Sequence, residues 1–281
     1  MRKFILCALL LCASPAARAL SVSDSFIYNS SFWRNNVSVS VRPAYAFAAG
    51  AEFELTEHDN FANHVYAFRL PFMLRLRDMG FALKPFYYPG NGNGASALGG
   101  KFIFSTDINR DDVNESFSSG YISVAYADND APVRRAGSEV KESFKQLAWE
   151  AGVNISFFER YAFEFGGNMY QYLSGIGGVA AVDSVLNQQE LADLGTLDYT
   201  LGLPKGSAGL KIKWLSSLSR SDNFISYRYI EMYRQKNMHS LLLFSSVNFA
   251  PGWYFDLSYN HLFISGQTDR DFYGAAVSLR F

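Results

Sequence analysis

The sequence has little cysteine, little charge and no long apolar run. Its 281 residues include two cysteines, Cys7 and Cys12, and both lie within the first 19 residues. The remainder of the chain can therefore form neither a disulfide nor a thiolate metal site. Charged residues make up 18% of the chain, which is low for a soluble protein. Beyond residue 19, no run approaches the roughly 20 apolar residues that a membrane-spanning helix needs.

Clustered basic charge is also missing. The formal net charge is −1, and it becomes −4 without residues 1–19, because that segment carries three basic residues and no acidic one. Slight acidity without basic patches argues against a nucleic-acid partner.

The first residues have the pattern of a secretory signal peptide. Arg2 and Lys3 precede an apolar segment at 4–13, and Ala17-Arg18-Ala19 fits a signal-peptidase cleavage site. We expect removal of residues 1–19, followed by a short leader at 20–36 and one domain at 37–281.

The sequence is rich in period-two alternation, which is typical of β-strands with two different faces. Val37, Val39 and Val41, for example, alternate with serine and arginine. Counting such runs predicts about twelve strands, with ten to fourteen possible. The predicted strands are 37–55, 64–77, 81–88, 97–106, 120–127, 145–157, 161–172, 207–215, 224–234, 239–249, 252–263 and 272–281.

The segments between these strands alternate in length. Tight turns are predicted at 77–80, 158–161 and 250–253. Longer polar stretches lie between them, at 56–63, 89–96, 128–144, 173–206 and 264–271. Short turns at one end and long loops at the other are typical of a closed transmembrane β-barrel. Two segments, 107–119 and 216–223, are too long for this pattern.

A soluble β-sandwich is the alternative fold, because sandwich strands also alternate. Several predicted strands here exceed ten residues, whereas strands of globular proteins average five or six. A tilted strand needs about nine to eleven residues to cross a bilayer. We therefore predict an all-β, closed, antiparallel transmembrane barrel, in which no sheet edge is left unpaired in lipid.

The C-terminal segment DFYGAAVSLRF carries a resemblance to a known class. Tyr273, Ala275, Val277, Leu279 and Phe281 occupy alternate positions of the last strand. This pattern resembles that of bacterial outer-membrane β-barrel proteins, and the resemblance covers the signal peptide and residues 37–281. It implies an integral protein in the outer membrane of a two-membrane bacterium, surrounded by outer-membrane lipids. It also implies that Tyr273, Val277, Leu279 and Phe281 form a signal for the barrel-assembly machinery.

Placing the apolar face toward lipid predicts which charged residues line the lumen. Eight basic and four acidic residues fall on the opposite face, which favours small polar solutes, anions among them. They are Arg42, Glu52, Arg69, Arg75, Lys101, Glu150, Glu164, Lys211, Lys213, Arg228, Asp256 and Arg280.

We therefore predict a porin-like passive channel without enzymatic activity, cofactor or metal. A first alternative is a structural or surface-interaction barrel whose lumen is closed by paired charges. A second is an outer-membrane lipid-modifying enzyme. Such enzymes need a nucleophile beside a base, but His239 and Ser240 are sequence neighbours and are expected on opposite faces.

Other motifs predict no chemistry. Residues 90–101 lack the lysine position of a phosphate-binding loop, and residues 107–116 lack the glycine and glutamate of a calcium loop. His58 and His64 lie near acidic residues at a predicted hairpin tip without metal-site spacing. Residues 183–195, in the longest loop, are expected to form a short helix that lies over the mouth, in the lumen or on the outer rim.

Overall fold

The computed structural model describes residues 19–29, 32–58, 65–89, 96–111, 116–135, 138–158, 160–174, 181–182, 204–216, 221–233, 236–266 and 268–280. Within these ranges, no helix is long and apolar enough to cross a membrane. The strands are β1 (Ala19–Asn29), β2 (Phe32–Ala44), β3 (Phe47–His58), β4 (Val65–Arg69), β5 (Phe72–Leu76), β6 (Met79–Tyr88), β7 (Ser96–Asp111), β8 (Ser116–Arg135), β9 (Ser138–Phe157), β10 (Tyr161–Ser174), β11 (Ala181–Val182), β12 (Pro204–Ser216), β13 (Ser221–Met232), β14 (Met238–Ala250), β15 (Trp253–Ile264) and β16 (Arg270–Arg280).

These strands form a single antiparallel sheet that closes on itself. Each main strand pairs with its neighbours in chain order, and β1 pairs with β16, with Ser23 opposite Ser278. Both β4 and β5 pair with β3, so the two together occupy the place of one wall strand. β11 pairs only with β8. The described wall therefore has fourteen strands and one short addition. The predicted fold class is confirmed, and the count lies at the upper limit of the predicted range.

The sequence predicted two wall strands fewer than the structure has. One of the two was not recognised because the predicted strand 37–55 is in fact two strands, β2 and β3. The structure has a turn at Tyr45–Ala46, which separates β2 from β3. Val41 pairs with Ala49, but Ala44 pairs with Phe47, so the register shifts by one residue beside the turn. With a two-residue turn alone, the outward-facing side chains would change from odd-numbered positions on β2 to even-numbered positions on β3. The bulge adds one residue, so odd-numbered residues face outward on both strands. Outward-facing residues therefore continue at odd-numbered positions, although the chain reverses its direction at residues 45–46.

The other missing strand is β1, and the prediction of a leader at 20–36 is wrong. Residues 19–29 form β1, which joins β2 to β16 and seals the barrel. The strand was missed because Asp24 lies on its exposed face, opposite Val37 and Val277, and interrupts the apolar pattern. The rest of the predicted signal peptide, residues 1–18, lies outside the described residues.

The two ends of the barrel differ in the lengths of their connections. At the short-turn end, the strands are joined by residues 45–46, 77–78, 112–115, 158–160, 217–220 and 251–252. The longer segments 59–64, 89–95 and 175–203 belong to the long-loop end. The predicted tight turns at 77–80, 158–161 and 250–253 are confirmed. The segments 107–119 and 216–223 fit the pattern as well, because the flanking strands extend into them.

A further correction concerns residues 128–144, which were predicted as a loop. They belong largely to β8 and β9, which pair from Phe117 opposite Ser156 to Arg135 opposite Ser138. β7 likewise continues to Asp111, beyond the predicted end of its strand at residue 106. Residues 183–195, for which a helix was predicted, lie outside the described residues.

The outer and inner faces of the barrel have different chemistry. Large apolar side chains are exposed on the outside of most strands, among them Leu83, Phe102, Trp149, Leu243 and Leu257. The alternate residues, which point inward, are mostly small or polar. Hydrocarbon chains of a bilayer match the first surface, and water or polar solutes match the second.

Candidate functional site in the barrel interior

The predicted lumen residues share the inward-facing register of the wall. Arg69, Lys101 and Glu150 are buried, whereas Arg42 and Arg75 are exposed near the short-turn end. Half-buried positions of the same register are Glu52, Glu164, Lys211, Lys213, Arg228 and Asp256, and Arg280 pairs with Ser21 on β1. Their contact with a solute stays a prediction.

Two arginines share one carboxylate on the inner face of β2–β4. Arg69 Nη2 lies 3.1 Å from Glu54 Oε2, and Arg34 Nη1 lies 3.7 Å from the same oxygen. Arg69 also approaches Glu52 at 4.0 Å and donates a 3.0 Å hydrogen bond to Tyr88 Oη. All three charged groups of the Arg34–Glu54–Arg69 cluster are buried, so their attraction is screened less than that of surface charges.

A second ion pair crosses from β7 to β9. Lys101 Nζ lies 2.7 Å from Glu150 Oε2, and both side chains are at most 4% exposed. Tyr121 and Ser123, on the intervening strand β8, donate hydrogen bonds of 3.2 Å and 3.3 Å to the Glu150 carboxylate. The carboxylate therefore has three donors, which offset its removal from water.

Further charges are paired along the wall. Glu164 on β10 lies 3.2 Å from Lys211 and 3.1 Å from Lys213 on β12. Near the short-turn end, Arg75 lies 3.7 Å from Asp107. Arg228 instead donates a 2.9 Å hydrogen bond to the hydroxyl of Ser207.

Several charged inward residues were not predicted from the sequence, among them Arg34, Glu54 and Lys84. Arg34 was missed because it fell within the supposed leader. Glu54 and Lys84 lie on strands that were correctly recognised, at the inward parity of β3 and β6. Their place in the alternation of those strands, on the same face as the predicted lumen residues, could therefore have identified them.

The described interior contains two substantial cavities. The first, of about 490 Å³, is lined by charged residues of β2–β7, by Asp256 on β15 and by serines of β1, β15 and β16. The second, of about 410 Å³, lies at the short-turn end beside Arg42, Arg75 and Asp107. Together they leave space inside the barrel from its short-turn mouth inward, and charged side chains form part of its lining.

Toward the long-loop end, two buried apolar clusters lie in the interior. One buried cluster contains Phe86, Tyr88 and alanines of β4, β7, β8 and β9. The other contains Ile230, Met232 and Met238 with inward residues of β1, β15 and β16. These clusters narrow the long-loop half of the lumen, because their side chains are almost fully removed from solvent.

The two described histidine side chains lie outside the lumen. His239 Nδ1 is 2.6 Å from Tyr227 Oη, and His261 Nδ1 is 2.7 Å from Asp271 Oδ1. Ser240 faces inward and donates to Asn260, so it lies on the opposite face from His239, as predicted. His64 and the side chain of His58 lie outside the described residues.

The C-terminal strand follows the predicted alternation as far as it is described. Tyr273 and Val277 are exposed on the outer face of β16, and Leu279 has the same parity. Phe281 lies outside the described residues. Whether these residues guide assembly stays a prediction. Within the described part, no group of three or more histidine, cysteine or acidic residues is arranged to hold a metal.

Comparisons with known proteins agree at the level of the fold. The chain has the fold of bacterial outer-membrane β-barrels of the porin-like class. It is similar to the solved structure of the CymD monoaromatic hydrocarbon channel, with a TM-score of 0.55 and 10% identity, over 97% of this chain and 92% of that one. At this identity, the likeness shows the fold alone.

Two other solved structures are more distant in shape. The toluene transporter TodX of Pseudomonas putida matches with a TM-score of 0.49 and 9% identity, over 96% of this chain and 90% of that one. The NanC porin matches with a TM-score of 0.45 and 12% identity, over 92% and 98%. Neither score carries an argument about function. No protein-family model matches the chain, and no curated protein does.

Proposed function

We propose that the chain is an integral outer-membrane channel for the passive passage of small polar solutes. The observation that carries this proposal is the polar cavity of about 490 Å³ inside a closed wall of fourteen strands. A barrel of eight strands has an interior that side chains just fill, whereas a barrel of sixteen strands encloses an aqueous channel. A wall of fourteen strands is closer in size to the second kind of barrel.

The outer face supports membrane insertion. Closed barrels satisfy all backbone hydrogen bonds between strands, as hydrocarbon surroundings require. The exposed belt of leucine and aromatic side chains supplies the apolar surface. Outer-membrane lipids are therefore the proposed surroundings, and the barrel-assembly machinery is the proposed partner of the C-terminal strand.

Conductance across a planar bilayer tests the channel. The full chain, purified from outer-membrane fractions in detergent, is expected to produce stepwise current increments in potassium chloride. A membrane that stays at background conductance at high protein load would remove this proposal.

That negative result would favour the closed-lumen barrel instead. One observation supports this second candidate, namely the two buried apolar clusters in the long-loop half. A hydrophobic constriction of this kind excludes ions when it is too narrow to hold water. In the channel account, the same clusters narrow the lumen without closing it.

A further inference from the structure

Two charged residues of the larger cavity have no counter-charge among the residues that the structure describes. Among the described residues, neither an ion pair nor a hydrogen bond reaches the ammonium group of Lys84, which lies opposite Lys101 on the neighbouring strand. Asp256 accepts a hydrogen bond from Ser246, and no cationic group in the described part of the chain pairs with it. Within the described part of the chain, the cavity therefore has one unmatched cation and one unmatched anion.

The other charges of the cavity lining lie in ion pairs. Arg34 and Arg69 share the Glu54 carboxylate, and Arg69 also approaches Glu52. Lys101 is held by Glu150. The field that a solute meets in this cavity is therefore set mainly by Lys84 and Asp256.

These two residues approach the cavity from different sides. Lys84 lies on β6 and Asp256 on β15, and five of the fourteen wall positions separate them on the shorter path around the sheet. A positive side and a negative side therefore face one another across the space. Charges in a narrow, partly desolvated lumen act more strongly on a solute than they do in bulk water.

Two residues of the same cavity lining carry buried polar atoms that have no partner among the described residues. Ser278 is 5% exposed, and no described group forms a hydrogen bond with its Oγ. Asn36 Oδ1, also at the lining, is buried and unpartnered. Buried polar groups are ordinarily hydrogen-bonded, so both atoms leave a demand for a partner unmet beside the cavity. Ser21, Ser25 and Ser258 add further hydroxyl groups to the lining.

We infer that this cavity is a subsite for small zwitterions of the amino-acid class, an inference that rests on the proposed channel function. The solute orients its carboxylate toward Lys84 and its ammonium group toward Asp256. A simple anion would meet the unmatched carboxylate of Asp256, and a simple cation would meet Lys84. A neutral polyol would leave both charges unmatched. The volume of about 490 Å³ lies within the range of small-molecule pockets.

Liposome swelling with four solutes of similar size tests the subsite. The probes are alanine as the zwitterion, lactate as the anion, alaninamide as the cation and glycerol as the neutral reference. Relative to glycerol, alanine is expected to enter at least about threefold faster than lactate or alaninamide. Equal relative rates for alanine, lactate and alaninamide would overturn the subsite and leave the channel intact.

Two variants assign the effect to the named residues. Lys84→Met is expected to lower the relative rate of alanine and to raise that of alaninamide. Asp256→Asn is expected to lower the rate of alanine and to raise that of lactate. Lys205→Gln and Glu231→Gln are the matched controls, because these residues form an exposed ion pair on the outside of the barrel.

The possible failures of the two proposals are distinguishable. If glycerol swelling is normal and neither cavity variant changes the ranking of the charged probes, the subsite is wrong and the channel stands. If neither glycerol nor alanine causes swelling with the unmodified protein, the channel is wrong, and the subsite is wrong with it. Normal glycerol swelling of each variant shows that its barrel has folded.

Discussion

Lys101 and Glu150 are joined by a 2.7 Å ion pair across β8, inside the barrel, where both side chains are almost wholly buried. The pair links two strands that are not direct neighbours, since β8 lies between β7 and β9. It is therefore a tertiary contact of the barrel interior and holds that part of the wall in one arrangement.

Removing one partner of this pair is expected to be costly. In Glu150→Ala, Lys101 becomes a buried charge without its partner, and we expect a loss of about 3–5 kcal/mol in the free energy of unfolding. Urea unfolding in detergent or lipid measures the change. Glu231→Ala is the control, because its pair with Lys205 is exposed and such pairs contribute about 0–1 kcal/mol. Equal losses in both variants would contradict a buried ion pair.

Close packing of β7 against β8 depends on Gly99. A Cβ atom there would lie 2.2 Å from the carbonyl oxygen of Tyr126 and 2.5 Å from Phe86 Cζ. Gly99→Ala is expected to lose about 1–3 kcal/mol through overpacking. The neighbouring Gly100→Ala is the matched control, since its nearest contact would be an ordinary 3.5 Å. The folded fraction, followed by heat-dependent gel mobility, is expected to fall only in Gly99→Ala.

The two faces of the wall can be distinguished by introducing charge. Leu243 lies on the exposed outer face of β14, whereas Ser258 lines the inner cavity on β15. Leu243→Arg is expected to lose about 2–4 kcal/mol of stability in lipid if it lies near the bilayer midplane. Ser258→Arg is expected to lose less and to slow glycerol entry by occupying the lumen. The reverse order of stabilities would show that the faces are misassigned.

Glu54 balances two arginines, so its removal changes the charge of the lumen. In Glu54→Gln, Arg34 and Arg69 keep their charges and lose their shared carboxylate. The ratio of anion to cation permeability is expected to rise, because a more positive lumen favours anions. The reversal potential in a potassium chloride gradient measures this ratio. Glu231→Gln on the outer surface should leave it unchanged, and an unchanged ratio in Glu54→Gln would place that residue away from the ion path.

Most of the fold was predictable because most wall strands present a long apolar face to the outside. The chain reversal at Tyr45–Ala46 was not, since the bulge between Val41 and Ala44 preserves the alternation through it. β1 was not predictable either, because Asp24 interrupts its outer face. Alternation reports which face a residue occupies, but it does not report where the chain turns.

The sequence predicted which charged residues face the lumen, because strand alternation assigns a face to each residue. It did not predict which of these residues form ion pairs. Parity placed Lys101 and Glu150 on the inner face, but their contact spans 49 residues and depends on the register of β7, β8 and β9. The unmatched state of Lys84 likewise depends on which carboxylates reach it in three dimensions. The sequence alone does not show which residues lie opposite one another on neighbouring strands. It therefore cannot distinguish a charged residue that forms an ion pair from one that does not.

The seam between β1 and β16 tests the closed barrel most directly. Residues 20–281 contain no cysteine, so introduced cysteines can be read without background once Cys7 and Cys12 are absent. Ser23 and Ser278 are paired across the seam, whereas Ser23 and Ala276 are offset by two residues. Mild oxidation of Ser23→Cys/Ser278→Cys in membranes is expected to form an intramolecular disulfide, and Ser23→Cys/Ala276→Cys is expected to remain largely reduced. A reduced Ser23/Ser278 pair in folded protein would contradict the barrel, because β1 would then not close the sheet.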